Sequence, residues 1–178
     1  MRLVVVLAAM ALLAVPPGRA SAQEAVTAAQ SSDMQAPDAQ SADGQTIELA
    51  VPGGAPVKLT GRDLARLPAI EQEVAFQTSQ GLSRARYGGV LLWNVLEANH
   101  ALATAGHHDE LRQIFSVTGR DGYRIVFSVG EIAPDFGNRA MMIATEADGR
   151  PLAGPRLIVP GDRRGARSVR DVVGIEVR

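Results

Sequence analysis

An α+β domain on a mixed or antiparallel β-sheet is predicted by three features of this 178-residue chain. Short runs rich in β-branched and aromatic residues recur from Thr46 onward. Proline, glycine and Asp-Gly pairs punctuate them, which marks hairpins rather than long crossovers. One amphipathic helix stands out among these runs, too few helices for a doubly wound sheet. Residues 46–178 are enough for one core and too few for two.

The first 22 residues read as a signal peptide, not as part of the fold. Arg2 gives a positive start, residues 3–15 form an apolar run too short to cross a bilayer comfortably, and Ala20-Ser21-Ala22 supply small residues for a peptidase. The expected mature chain begins at Gln23 and is periplasmic or secreted. Residues 23–45 read as a flexible acidic linker: they hold Glu24, Asp33, Asp38 and Asp43, no basic residue and no aromatic one. Residues 46–178 are nearly neutral, with 16 basic side chains against 15 acidic. The chain has no cysteine, so no disulfide staples the fold in an oxidising compartment.

Within the domain, residues 46–50 and 57–59 predict a hairpin across Pro52-Gly53-Gly54-Ala55-Pro56, where glycine and proline supply the turn geometry. Thr60 is placed to cap a short helix, with Asp63 in its first turn and Pro68 ending it. Val74, Phe76 and Thr78 alternate with Glu73, Ala75 and Gln77, the pattern of a strand with one buried face. Leu91, Leu92, Val95 and Leu96 recur with helical spacing, which predicts the main helix over residues 90–101. Further strands are predicted at 114–118, 123–128, 140–145, 156–159 and 168–177, with Asp121-Gly122 and Asp148-Gly149 as turns.

Several blocks keep a recognisable order: Tyr87-Gly88-Gly89-Val90-Leu91-Leu92-Trp93-Asn94-Val95-Leu96-Glu97, Asp121-Gly122-Tyr123, Asp148-Gly149-Arg150-Pro151-Leu152, Gly154-Pro155-Arg156-Leu157-Ile158-Val159-Pro160-Gly161 and Ser168-Val169-Arg170-Asp171-Val172-Val173-Gly174-Ile175-Glu176-Val177. Together they resemble the molybdopterin-binding domain of the sulfite oxidase family, and more closely its small stand-alone exported relatives. The resemblance covers nearly all of residues 46–178. It implies a molybdopterin cofactor and oxidoreductase chemistry. It also implies a cysteine whose sulfur binds molybdenum, at the end of the strand that precedes the main helix. Here that stretch is Phe76-Gln77-Thr78-Ser79-Gln80-Gly81, and Thr78 falls at or next to the thiolate position. A thiolate is soft and deprotonated when it meets a metal, whereas a threonine hydroxyl is hard and keeps its proton. Threonine does not inherit the role.

Arg156, Arg163, Arg164, Arg167 and Arg170 form a basic cluster near the C-terminus, and guanidinium forks suit phosphate. Arg170 matches the basic residue of the family's Ser-Val-Lys-Trp end motif, while Asp171 departs from its aromatic residue. The residues carried forward as cofactor-binding are Thr78, Arg156, Arg167 and Arg170, with no catalytic residue assigned and no metal ligand. His107-His108-Asp109-Glu110 are adjacent on one loop, where ligands seldom converge on one ion, and His100 reads as a surface or capping residue. In the run 129–138 the acids could line a pocket mouth, but turn chemistry accounts for Asp135, Gly137 and Asn138, with an Arg or Tyr partner open for Glu131.

Two functions stay open at this level. One is an exported molybdopterin-dependent oxidoreductase, sulfite oxidase-like, with a degenerate metal site. The other is a cofactor-free sensor or adaptor module that uses the same cleft, bounded by Thr78, the helix start and residues 156–170, for an anion or a peptide. The expected partners are a small anionic ligand or cofactor and an exported protein. Nucleic acid is not expected, because basic residues are matched by acids over the domain. Nor is a membrane once the signal is removed, for lack of a basic amphipathic helix or a lipidation cysteine.

Overall fold

The computed structural model describes residues 45–103 and 105–178. The predicted signal peptide and nearly all of the predicted linker lie outside the described residues. Among the described residues, no helix is long and apolar enough to cross a membrane.

Two sheets build the domain. The first is ordered β2 (Val57–Leu59), β1 (Ile47–Ala50), β9 (Val172–Val177), β5 (Ile114–Gly119) and β6 (Arg124–Ser128). The second is ordered β3 (Ala69–Thr78), β4 (Gly81–Leu91), β7 (Met142–Ala147) and β8 (Arg150–Ile158). The β1–β9 pair is parallel and the other pairs are antiparallel, so the first sheet is mixed, as the sequence predicts.

Alternation along the strands decides what each face meets. Ile47 and Leu49 of β1, Phe115 and Val117 of β5, and Ile175 and Val177 of β9 point inward from the first sheet. Ile143 of β7 and Leu157 of β8 meet them from the second, and Leu92, Val95 and Leu96 of the main helix α2 (Leu92–Ala98) join the same core. The second sheet is buried on its other face too, where Val74, Tyr87, Met142, Ala144 and Ile158 cluster with Phe76 beside them. The outer face of the first sheet carries exposed Ile114 and Val126 beside charged groups: Glu176 pairs there with Arg178 at 2.8 Å and Arg124 at 3.6 Å.

Local chemistry accounts for the helices. Thr60 caps α1 (Gly61–Leu64) through a complete capping box: the Asp63 amide donates to Thr60 Oγ1 at 3.3 Å, and the Thr60 amide donates to Asp63 Oδ2 at 2.9 Å. The Thr60 hydroxyl, which donates to Asp63 Oδ2 at 2.6 Å, and then the Thr60 amide hold the Asp63 carboxyl below its ordinary value. Helix α2 is shorter than the predicted 90–101. Val90 and Leu91 end β4 instead, and the helix begins where the Leu92 amide donates to the Met141 carbonyl at 2.9 Å. It ends in a Schellman-type turn, with His100 at φ 53° and the Ala101 amide donating to the Leu96 carbonyl at 2.9 Å.

Two further elements differ from expectation. Residues 81–89, for which no strand is predicted, belong to β4, an eleven-residue strand paired with β3 and β7. Residues 168–177 do not form one strand: a 3-10 turn occupies Gly165–Arg167, Asp171 sits at φ 46°, and β9 starts only at Val172. Asp148, at φ 51°, and Gly149, at φ 71°, form the tight β7–β8 turn that the dipeptide predicts.

Gly89 is required by close approach. A Cβ there would collide with the Ile143 carbonyl oxygen, next to the register shift between β4 and β7. The substitution Gly89→Ala is expected to destabilise the domain by roughly 1–3 kcal/mol, the usual cost of overpacking a rigid site. At Gly174, where an added Cβ meets its nearest neighbours at 3.9 Å, alanine is expected to leave the urea midpoint almost unchanged. Equal midpoints for both variants would reject the close-approach argument.

Candidate functional site

Loop 161–168 connects the cofactor-binding candidates, and its geometry follows from one arginine. Arg167 Nε donates to Asp162 Oδ2 at 2.8 Å and Nη2 donates to Asp162 Oδ1 at 2.7 Å, a bidentate fork within one short loop. Its Nη1 donates to Glu131 Oε2 at 3.1 Å, which supplies the arginine partner left open for Glu131. The guanidinium also lies 5.3 Å from the centroid of the Phe127 ring. Arg139 Nη1 donates to Asp162 Oδ1 at 3.0 Å, so Asp162 faces two guanidinium groups.

The same loop is fastened to both sheets. The Tyr123 hydroxyl donates to the Ala166 carbonyl at 2.6 Å, on the side of β6. On the side of β3, the Gln77 amide donates to the Arg163 carbonyl at 2.8 Å, and Gly165 packs over the Phe76 ring. Ser168 Oγ accepts from the Val159 amide at 3.3 Å.

Thr78 stands at the far end of the β3–β4 hairpin and is exposed. Its hydroxyl donates to the Gly81 carbonyl at 2.8 Å and accepts from the Gln80 amide at 3.2 Å, so it closes the turn. The burial expected from strand alternation stops at Phe76, because the hairpin runs past the body of the domain. Arg156, half-buried in β8, donates through Nη1 to the Tyr87 hydroxyl at 3.4 Å. Arg163, Arg164 and Arg170 are exposed. The Gln77–Arg163 bond brings the end of β3 beside loop 161–168, and none of Thr78, Arg156, Arg167 and Arg170 lines the cavity beside Trp93.

That cavity lies elsewhere. It has a volume of about 580 Å³ and is lined by Trp93 and Glu97 of α2, His100, Leu102 and Ala103 after it, Glu110, and the segment 133–136. This last segment is shaped by a tight loop. The Gly137 amide donates to the Gly130 carbonyl at 2.9 Å, the Asn138 amide to the Ala133 carbonyl at 3.0 Å, and the Arg139 amide to the Glu131 carbonyl at 2.9 Å. Phe136 is thereby turned to the outside, 44% exposed, where the His108 ring meets it edge-on at 4.9 Å. His108 Nδ1 lies 3.3 Å from Glu110 Oε1 in the 3-10 turn Asp109–Arg112. Among the described residues no three His, Asp or Glu side chains are grouped to hold a metal ion. Its walls come from one helix and three loops that share no motif, so the sequence pointed to it only through the acids of the run 129–138, of which Asp135 lines the cavity.

The residues present do not fit a molybdenum centre. The sequence has no thiolate, the hydroxyl nearest the thiolate position closes a turn, and the Arg167 guanidinium is filled by two carboxylates of this chain.

No family model matches the chain, and no curated protein matches it either. Among solved structures, it is similar to the sulfane dehydrogenase SoxCD from Paracoccus pantotrophus, with a TM-score of 0.60 and 21% identity over 77% of this chain. The match spans 39% of that chain, so the present one corresponds to well under half of its length. The likeness establishes the fold: an α+β, sulfite oxidase-like domain with few helices.

Asp162 supplies a test of the loop. The hydrogen bond from Arg167 holds its carboxyl below the ordinary 3.8, burial opposes the shift, and the charges of Arg167 and Arg139 add to the lowering. Asp162 in turn, with Glu131, holds the Arg167 guanidinium above its ordinary value. A lowered carboxyl stabilises the folded state fully above its unfolded value, and the contribution is lost as pH falls through the lower folded value. Asp162→Asn is expected to cost roughly 1.5–3 kcal/mol at pH 7, the range for hydrogen bonds to charged groups. The gap to the parent protein should narrow below about pH 4 in urea titrations. A gap independent of pH would assign the effect to packing alone.

Proposed function

We propose that this chain is an exported, cofactor-free binding module built on a sulfite oxidase-like fold. The observation that carries this reading is the closure of loop 161–168 by its own carboxylates. Arg167, one of the guanidinium groups expected to meet a cofactor phosphate, spends its fork on Asp162 and its remaining reach on Glu131. The Thr78 hydroxyl is a hard, protonated oxygen engaged in a hairpin turn, unlike a metal-binding sulfur. For binding the domain offers the Trp93 cavity, whose volume lies within the range of small-molecule sites. Export follows from Arg2, the apolar run after it and Ala20-Ser21-Ala22. An exported protein partner is compatible with this role.

A second reading, a molybdopterin-dependent oxidoreductase with a degenerate metal site, is favoured by the fold and by one observation. Arg163 and Arg164 are exposed beside the end of β3, and their side chains, like that of Arg170, have no carboxylate partner among the described residues. Such guanidinium groups suit a phosphate. Under this reading they would hold the pterin phosphate, and the cofactor would supply the redox chemistry.

Elemental mass spectrometry for molybdenum, with pterin fluorescence after oxidation, separates the two on protein from a host that makes the cofactor. The expected result is neither metal nor pterin, in the parent protein and in Thr78→Cys. Near-stoichiometric metal and pterin in the parent overturns the cofactor-free reading, and uptake restored by Thr78→Cys would show an otherwise intact molybdenum pocket. The exported protein is expected to have the mass of a chain starting at Gln23; a mass that retains Met1 rejects the cleavage.

A further inference from the structure

The Trp93 cavity has a one-sided charge. Glu97, Glu110 and Asp135 line it, and no lysine or arginine does. Glu97 and Asp135 have no ion pair or side-chain hydrogen bond to any described residue, and both are exposed at the cavity rather than folded into the protein. An anion placed there would face three carboxylates with no lysine or arginine on the wall, the nearest basic groups being His100 and the His108 ring beside Glu110.

The remaining walls are apolar and aromatic. Trp93 packs its inner part against the core and turns its remainder to the cavity, while Leu102, Ala133, Pro134 and Phe136 complete the lining. Indole and phenyl faces carry negative electrostatic potential and attract a cation within about 6 Å of the ring centroid. The acids are too dispersed to chelate, since among the described residues no three such side chains are grouped for a metal ion. A diffuse, weakly hydrated cation suits this combination better than a compact metal ion. Its alkyl groups bury against the apolar walls and require no hydrogen bonds, and its charge is met by the aromatic faces and the acidic rim.

We propose that the cavity bounded by Trp93, Phe136, Glu97, Glu110 and Asp135 binds a small organic cation of the alkylammonium class. The proposal rests on the reading of the chain as a binding module and names the ligand chemistry of that site.

Trp93 is the only tryptophan in the chain, so its emission reports from inside the site. Choline and tetramethylammonium are titrated into the full mature protein at constant ionic strength, beside 3,3-dimethylbutanol, the uncharged isostere of choline. The expected result is a saturable change in Trp93 emission with the two cations and an affinity at least about tenfold weaker for the alcohol, the scale of a desolvated cation–π contact with carboxylate support. Phe136→Ala and Asp135→Asn alter exposed side chains and should keep the fold, checked by circular dichroism, while each weakens choline binding several-fold. No saturable response to either cation overturns the proposal. An equal response to the alcohol overturns it as well, by showing a merely apolar pocket. So does unchanged choline affinity in both variants, which would put the cation elsewhere. Molybdenum and pterin are measured on the same sample. A cofactor-free protein without a cation response rejects the ligand assignment alone, whereas a cofactor-loaded protein that still binds choline rejects the cofactor-free reading and leaves the cation site standing.

Discussion

The bidentate pairing of Arg167 with Asp162 holds the structure's two sheets to one loop. β9, the central strand of the first sheet, begins five residues after Arg167 and is flanked by parallel β1 and antiparallel β5. Its register against both neighbours therefore depends on how loop 161–168 is delivered. Tyr123 and Phe127 hold that loop from the β6 side, and Gln77 and Phe76 hold it from the β3 side. Charge-assisted hydrogen bonds of this length are worth more than neutral ones, particularly when half-buried, and they fix orientation as well as distance.

That fastening has a chemical consequence. A guanidinium with both edges saturated by carboxylates presents little free charge to a ligand, so the residue that best stabilises the loop is withdrawn from phosphate recognition. Thr78 is subject to a similar conflict on a smaller scale. Its hydroxyl satisfies the backbone of a two-residue turn at the end of a long hairpin, and the same atom is not aimed at a cleft. Glu131 connects the clamp with the cavity: its carboxylate contacts Arg167, while its backbone begins the tight loop that holds Ala133, Pro134 and Phe136 at the cavity wall. The loop clamp and the aromatic cavity are thus positioned by one short segment.

Much of the architecture was legible in the chain because it is written in local chemistry. Thr60 with Asp63 marked a helix start, Asp148-Gly149 marked a left-handed turn, and the apolar spacing of Leu92, Val95 and Leu96 marked the face of the main helix. The start of that helix was misjudged because Val90 and Leu91 suit a helix and a strand equally, and pairing of β4 with β7 decided for the strand. Residues 168–177 looked like one run for the same reason, until the left-handed turn at Asp171 divided them.

By itself, the sequence determined the fold class, the order of most strands, the caps and turns, and the absence of any thiolate, since each depends on residue identity over a few positions. The tertiary structure decided where charge is free and where it is spent. Arg167, Asp162 and Glu131 are indistinguishable from other surface ions in a linear reading, and they become a closed network only when residues 36 positions apart meet. The cavity beside Trp93 has the same origin, because it is the space left between one helix and three loops, and no local pattern encodes such a space.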